Sequence, residues 1–363
     1  MTLEMLHQQP DNSLTSLQLA VGIDTHQSTH HVAVIDAEAR RVADREFPAT
    51  RDGYTQIEQW LAGHGEIAVI GIESTSSYGQ GITRHLLEAG HRIVEVNQPD
   101  VAIRHDQGKT DVIDAYSAAR AALTGRANVT PKISTGIVES IRMLMVTRAS
   151  AIKSRSQAVL QIRDLTTTAP DPIRDQLLPL TGPARAKIAA GYRPDMTRIR
   201  EPLQAVKYAL KSLAQRYQAL DAEVRHVDQL LDALVAEAVP TLLSHRQIGT
   251  ITAGRLVVSA GQNPHRFATE AQFAKLTGTA PLPASSGKTR RYRLNRGGDR
   301  QANSALYMIA VGRLKDHEPT RTYMARRLAQ GLTKRDVMRC LKRYIAREVF
   351  TALKRDLARL DTP

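Results

Sequence analysis

The sequence predicts a mixed α/β domain at the N-terminal end, a long helical middle and a mainly helical C-terminal part. Three observations carry this. Short apolar runs alternate with amphipathic stretches as far as Leu123, the strand pattern stops at about Ile137, and an apolar seam of helical period runs from Val206 to Ala238. Interleaved strands and helices give a layered sheet domain, whereas a periodic stretch without strands gives packed helices. The expected division is a polar tail over 1–16, an α/β domain over 17–130, a helical and coiled-coil region over 131–239 and a C-terminal domain over 240–363.

Leu17–Asp24, His30–Asp36 and Arg41–Phe47 read as three consecutive strands. A helix over Gly53–Leu61, a strand over Ile67–Glu73, a helix over Gly79–Ala89, a strand over Arg92–Asn97 and a helix over Asp111–Leu123 follow. Gly63 and Gly90 stand where the first two helices should stop. Val138–Thr168 has a helical pattern, and Pro170, Pro172, Pro179, Pro183 and Pro194 then break the chain into a loop or short turns. The seam steps by four and three through Val206, Leu210, Leu213, Tyr217, Leu220, Val224, Val227, Leu231, Leu234 and Ala238, with charged residues off it. Such a seam packs either on Val138–Thr168 of the same chain, as an antiparallel hairpin, or on a second protomer. We favour a contribution to a homo-oligomer.

Two expected strands end in acids, Asp24 and Glu73. Lys109-Thr110-Asp111-Val112-Ile113-Asp114-Ala115 opens a helix whose spacing puts Asp111 and Asp114 on one face. Like charges held that close are tolerated where water solvates both or a divalent cation bridges them. Sequence alone leaves both open, but strand ends converging in one sheet would bring Asp24 and Glu73 toward that face.

Gly22-Ile23-Asp24, Ile72-Glu73-Ser-Thr-Ser-Ser-Tyr78 and the Lys109 to Ala115 stretch together resemble the Asp-Glu-Asp-Asp signature of the transposases of one large group of bacterial insertion sequences. The likeness runs in motif order from about Leu17 to about Leu353. It implies an RNase H-like, specifically RuvC-like, N-terminal domain, a C-terminal transposase domain with a catalytic serine, and guidance by a structured bridge RNA. It also implies that Asp24, Glu73, Asp111 and Asp114 are catalytic and hold Mg²⁺ or Mn²⁺, as a pair of ions.

Small hydroxyl residues beside glycine ordinarily mean an exposed loop. The family's segment runs from Gly-x-x-Pro to Ser-Gly, and read onto Gly278-Thr-Ala-Pro281 and Ser285-Ser286-Gly287 it places the nucleophile at Ser286 in preference to Ser285. Lys288, Arg290, Arg291, Arg293, Arg296 and Arg300 follow, against the single acid Asp299 and interrupted by the turn residues Asn295 to Gly298. With Lys109 they are the expected nucleic-acid contacts, since guanidinium groups hold phosphates in bidentate geometry. Lys334, Arg335, Arg339, Lys342, Arg343 and Arg347 read as clamps on a phosphate backbone rather than base readers. Arg246 to Leu256 resembles a helix-hairpin-helix turn, with Gln247 where members often carry glycine; a plain connection between core helices is the alternative.

Composition agrees with a polyanionic partner. The 363 residues carry a formal net charge of +14 and a sequence pI near 10.1, which favours DNA and RNA. Four Phe and one Trp argue against base stacking as the main mode of binding. Cys340 is the lone cysteine, which excludes a disulfide within the chain and a cysteine-based zinc site. No apolar run is long enough for a membrane span, and Met1 to Ser16 lacks the pattern of a signal peptide. The expected setting is the bacterial cytoplasm, in association with the nucleoid, as a dimer, or a tetramer in synapsis. Two other readings compete: a RuvC-like junction nuclease that uses water, and a nucleic-acid-binding scaffold without catalysis.

Overall fold

Runs of Val, Ile and Ala at the N-terminal end form a five-stranded sheet, and the alternation that follows them sets its order. The computed structural model describes residues 18–96, 110–133, 135–263, 266–285 and 292–360. The chain divides into two compact units, 1–134 and 135–363.

The first unit contains β1 (Gln18–Thr25), β2 (Thr29–Ile35), β3 (Arg41–Pro48), α1 (Arg51–Ala62), β4 (Glu66–Glu73), α2 (Gln80–Glu88), β5 (Ile93–Val96) and α3 (Asp111–Leu123). The sheet order is β3-β2-β1-β4-β5. The β1–β2 and β2–β3 pairs are antiparallel, and β4 runs parallel to both β1 and β5. β1 is therefore central, and its residues from Leu19 to Thr25 are all buried. Side chains alternate across a strand, so the sheet has two apolar faces. Val21, Ile23, Ile70 and Ile72 pack with Ile57 and Leu61 of α1 and Ile82 and Leu86 of α2. Ala20, Val69, Val94 and Val96 pack with Ala115, Ala118, Ala119 and Ala122 of α3.

The α3 face is unusually close to the sheet because two strand positions carry no side chain. A Cβ on Gly22 would lie 2.0 Å from the Ala115 carbonyl oxygen and 2.2 Å from the Ala119 nitrogen, and one on Gly71 would lie 2.6 Å from the Ala118 carbonyl oxygen. Helix backbone thus rests directly on strand backbone. The small Ala side chains of α3 make the same approach possible from the other side.

The second unit is built on a helical hairpin. α4 (Gly136–Thr168) leads through α5 (Asp171–Leu177), α6 (Gly182–Ala190) and a 3₁₀ turn (Met196–Arg198) into α7 (Pro202–Ala238). The segment expected to be broken by prolines holds two short helices, because Pro172, Pro183 and Pro202 sit in the first turns of α5, α6 and α7. Proline is tolerated there, since those amides have no partner inside the helix. The predicted seam of α7 is taken up within the chain. Leu210, Val224, Val227, Leu231 and Ala238 are buried, as are Ile141, Ala151, Ala158 and Ile162 of α4, and the two helices pack along their length. Arg148 pairs with Asp228, and one heptad further along α4 Arg155 donates to Asp221 at 2.6 Å. Partner numbers that fall as α4 advances fix an antiparallel hairpin, and the two ion pairs specify its register.

α8 (Pro240–Leu243), α9 (Thr250–Ala260), α10 (Glu270–Leu276), a ribbon of β6 (Leu282–Pro283) with β7 (Tyr292–Arg293), α11 (Arg300–Asp316), α12 (Glu318–Ala329) and α13 (Lys334–Leu360) complete the unit. One core joins Ile141 of α4, Leu231 and Val235 of α7, Leu256 of α9, Leu306 and Ile309 of α11, and Val349 and Leu353 of α13. The change of composition near Pro240 is therefore not a break in packing. Asp356 of α13 accepts from the Thr241 and Leu242 amides at 3.1 and 2.9 Å, tying the last helix to the start of α8. No helix among the described residues is long and apolar enough to cross a membrane.

The close approach of α3 has a measurable consequence. Gly22→Ala is expected to cost about 3 kcal/mol in urea unfolding, the upper end for overpacking, because backbone rather than a flexible side chain must yield. Gly63→Ala, whose new Cβ would meet only the Trp60 carbonyl oxygen at 3.4 Å, is expected to change stability by less than about 0.5 kcal/mol. Equal effects of the two would refute a backbone-limited packing of α3.

Candidate active site

The acids are placed by the same alternation that exposes the glycines. Asp24 lies two residues beyond Gly22 on β1 and Glu73 two beyond Gly71 on β4, so both belong to the α3 face. The parallel register runs through Gly22↔Gly71 and Ile23↔Ile72, which makes Asp24 and Glu73 the next residues on neighbouring strands. Thr25 Oγ1 donates to the Glu73 carbonyl at 3.1 Å and holds the two strand ends together. Across from them α3 begins, with the Thr110 hydroxyl accepting from the Ile113 amide at 3.3 Å. That cap puts Asp111 and Asp114 in the first turn, Asp114 buried and Asp111 half exposed.

His26 closes the group. Its Nε2 lies 3.2 Å from Asp24 Oδ2 and 3.2 Å from Asp111 Oδ1. One donor atom from each of these three residues falls within 4.8 Å of the others. His26 is not among the residues that the sequence singles out, and its place two residues beyond Asp24 is the one local signal for it. Its neighbours serve elsewhere: His30 is buried against Tyr54, with ring centroids 5.7 Å apart, and His31 Nε2 meets Asp44 at 2.9 Å.

Burial raises the Asp24 pKa above the ordinary carboxylate value, the neighbouring His26 opposes that rise, and the charges of Asp114 and Asp111 add to it. The charges of Asp24, Asp111 and Asp114 meet in one small volume, with the His26 imidazole beside Asp24 and Asp111. Oxygen donors with one nitrogen, closed at Asp24 and Asp114 and open at His26 and Asp111, suit a divalent cation that keeps positions free for substrate. The residues present fit such an ion.

The other expected site residues lie in the second unit or outside the described residues. Ser286, Lys288, Arg290, Arg291 and Lys109 fall outside them. Arg293, Arg296 and Arg300 are exposed, on β7, in the turn that follows and at the first position of α11. The turn is joined to the Gly278 to Pro281 segment. Gly278 has φ +65°, and a Cβ on Gly298 would lie 2.2 Å from the Gly278 nitrogen. Asn303 Nδ2 donates to the Thr277 carbonyl at 2.8 Å, and the Asp299 amide to the Leu276 carbonyl at 2.6 Å.

The row of clamps expected on α13 is mostly otherwise engaged. Arg339 pairs with Asp336 and Arg343 with Glu270, while Lys342 is buried. A helix that crosses the core cannot present every basic residue to solvent. In the turn before α9, Gln247 takes φ +63°, the left-handed backbone that glycine favours. Its amide donates to Asp316 at 2.9 Å, so the turn is fastened to the end of α11.

Comparison with known proteins agrees in both parts of the chain. A family model described as a transposase, of the Asp-Glu-Asp-Asp type of IS110 elements, matches residues 21–169. A second, described as a transposase of the IS116/IS110/IS902 family, matches residues 239–325. The uncharacterized 43.6 kDa protein of insertion element IS110 from Streptomyces coelicolor is 22% identical over 381 residues, covering 92% of this chain and 93% of that protein. The uncharacterized 42 kDa protein of insertion element IS900 from Mycobacterium paratuberculosis is 22% identical over 365 residues, covering 85% of this chain and 89% of that protein.

A buried carboxylate whose pKa is raised by burial and by neighbouring acids should leave the protein more stable when it is neutralised. Asp24→Asn is expected to raise the Tm of metal-free protein by a few degrees, and the further rise expected for the native protein on adding Mn²⁺ should be abolished in this variant. His26→Ala should weaken Mn²⁺ binding about tenfold by calorimetry and Mg²⁺ binding less, since imidazole suits the former ion. A raised carboxyl pKa means that the ion competes with a proton, so affinity should climb as pH increases through that value. Unchanged Mn²⁺ binding in both variants would exclude these side chains as ligands.

Proposed function

We propose, from the premise that this chain belongs to the IS110 family of insertion-sequence transposases, that it cleaves and rejoins DNA strands through a covalent phosphoserine link at Ser286. The supporting observation is the gathering of Asp24, His26 and Asp111, with Asp114 and Glu73 beside them, at one end of a five-stranded sheet. The strand order and that placement also favour assigning the first unit to the RuvC-like branch of the RNase H-like fold.

In the proposed reaction the Ser286 hydroxyl attacks phosphorus. Its O–H proton passes by way of water to the departing deoxyribose oxygen, the Oγ–P bond forms, and the bond from phosphorus to that oxygen breaks, releasing a hydroxyl end. A hydroxyl of a second strand then attacks the same phosphorus and frees the serine. One phosphodiester is exchanged for another, so no ATP is required. Asp24, Glu73, Asp111 and Asp114 would hold Mg²⁺ or Mn²⁺, as a pair of ions, which supplies charge to stabilise the phosphoryl oxygens. His26, which lies against both Asp24 and Asp111, would add one nitrogen donor to that set. Arg293, Arg296 and Arg300 neutralise the DNA backbone. A bridge RNA supplies sequence recognition by base pairing, and synapsis of two DNA segments calls for a homo-oligomer.

The carboxylate cluster is also sufficient for hydrolysis by water, which makes a junction nuclease the second reading. The two separate cleanly. Ser286→Ala should lose the protein–DNA adduct and strand exchange by several orders of magnitude while keeping DNA affinity, and Asp24→Asn should lose the same activities. Product formation by Ser286→Ala with none by Asp24→Asn would establish water as the nucleophile. For the guide, the nucleic acid that copurifies with the protein is expected to be one discrete RNA encoded beside the gene; a random mixture of cellular RNA would rule out a dedicated partner.

A further inference from the structure

We propose that a cavity at the head of α11 is the seat of a single DNA phosphate, with Lys342 as the cation at its base. The assignment of that phosphate to DNA rests on the transposase reading above; the anion site itself does not.

The cavity has a volume of about 390 Å³ and is lined by Gly278, Arg296, Arg300, Asn303, Tyr307 and Lys342, among others. That is at the lower end for small-ligand clefts, roughly 300–1,000 Å³, and suits one phosphate with its adjoining sugars. Lys342 is 8% exposed. Its Nζ donates to Asn303 Oδ1 at 2.8 Å, and among the described residues no carboxylate pairs with it. Burial, and then the neighbouring Arg339, lower its pKa. An ammonium group taken out of water and left with only a neutral acceptor is costly, and an anion in the adjoining cavity would remove most of that cost.

The rest of the wall points the same way. Asn303 is oriented, because its Nδ2 is used by the Thr277 carbonyl and its Oδ1 by Lys342. α11 opens with Arg300 and has no acid in its first turn. A cation there faces the positive end of the helix dipole, an arrangement that an anion would stabilise. The helix-capping carboxylate, Asp299, accepts from the Gln301 and Ala302 amides at 2.7 and 2.9 Å and is not among the residues that line the cavity. Gly278 and Gly298, packed back to back, leave that wall without side chains. In sequence, Ser286 stands between β6 and β7, and the residues just after β7, Leu294 to Arg296, line the cavity.

The test uses the full chain, freed of nucleic acid, with inorganic phosphate as probe and ³¹P line broadening as readout. Native protein and Ser286→Ala should bind phosphate alike. Lys342→Met and the double variant Arg296→Gln/Arg300→Gln should each lose about tenfold or more in affinity, and Lys342→Arg should retain most of it. Lys334→Gln/Arg335→Gln removes the same charge from an exposed part of α13 and should change little. A short DNA duplex should displace the phosphate more effectively than single-stranded RNA of equal length. Undiminished binding by folded Lys342→Met overturns the proposal; if that variant does not fold, undiminished binding by the double arginine variant does so. Equal loss in the Lys334/Arg335 variant reduces the effect to surface charge and also overturns it, and better displacement by RNA overturns the assignment to DNA. Failure of native protein to form a covalent DNA adduct would refute the serine mechanism while leaving the phosphate result intact.

Discussion

The contact on which the first unit depends is between backbones: α3 lies on the sheet at Gly22 and Gly71, where a single added methyl carbon would sit 2.0 and 2.6 Å from helix carbonyl oxygens. Because side chains alternate along a strand, the residues that must be bare to admit the helix and those that must carry acids fall on the same face, two positions apart. Admitting the helix therefore also brings its first turn over the carboxylates. A bulkier residue at either glycine would push α3 outward and carry Asp111 and Asp114 away from Asp24. Packing and chemistry are set here by one geometric condition.

That condition also explains why so much of the first unit was legible. Apolar runs of period two, glycines at helix ends and an Asp-x-x-Asp spacing are local signals, and the strand and helix order followed from them. The pairing of strands into the order β3-β2-β1-β4-β5 depends on contacts between distant residues, which no local signal in the sequence carries. His26 was missed for a related reason. An imidazole two residues from an acid has many ordinary explanations, and only the arrival of Asp111 from another element gives it a second partner.

In the second unit the helical period of the seam is as expected, while the seam favoured for pairing protomers packs within the chain. A heptad seam states that a helix packs, not on what, and here Arg148 and Arg155 of α4 meet Asp228 and Asp221 across it within one chain. Any pairing of subunits must therefore use surfaces other than the buried part of this seam. The prolines misled in the opposite direction, since a residue that ends helices also begins them. Lys342 was indistinguishable in sequence from the basic residues around it. Its burial follows from its place on the core side of α13, beside Leu341, Ile345 and Ala346.

The two units thus hold excess charge of opposite sign in partly enclosed places. At the end of the sheet, carboxylates are gathered until Asp24 gives up its proton less readily than usual. At the head of α11, a buried ammonium and two guanidinium groups line a space with no carboxylate among the described residues of its wall. Neither arrangement serves the stability of the empty protein, because like charges drawn together out of water oppose folding. In the proposed reading each becomes favourable when an opposite charge arrives, divalent cations in the first and a phosphate in the second. A nucleic acid carrying its own cations provides both. Such a protein tolerates local instability because the large apolar cores on either face of the sheet and around α13 outweigh it, and the same instability makes binding selective for ligands that bring the right sign of charge to each place.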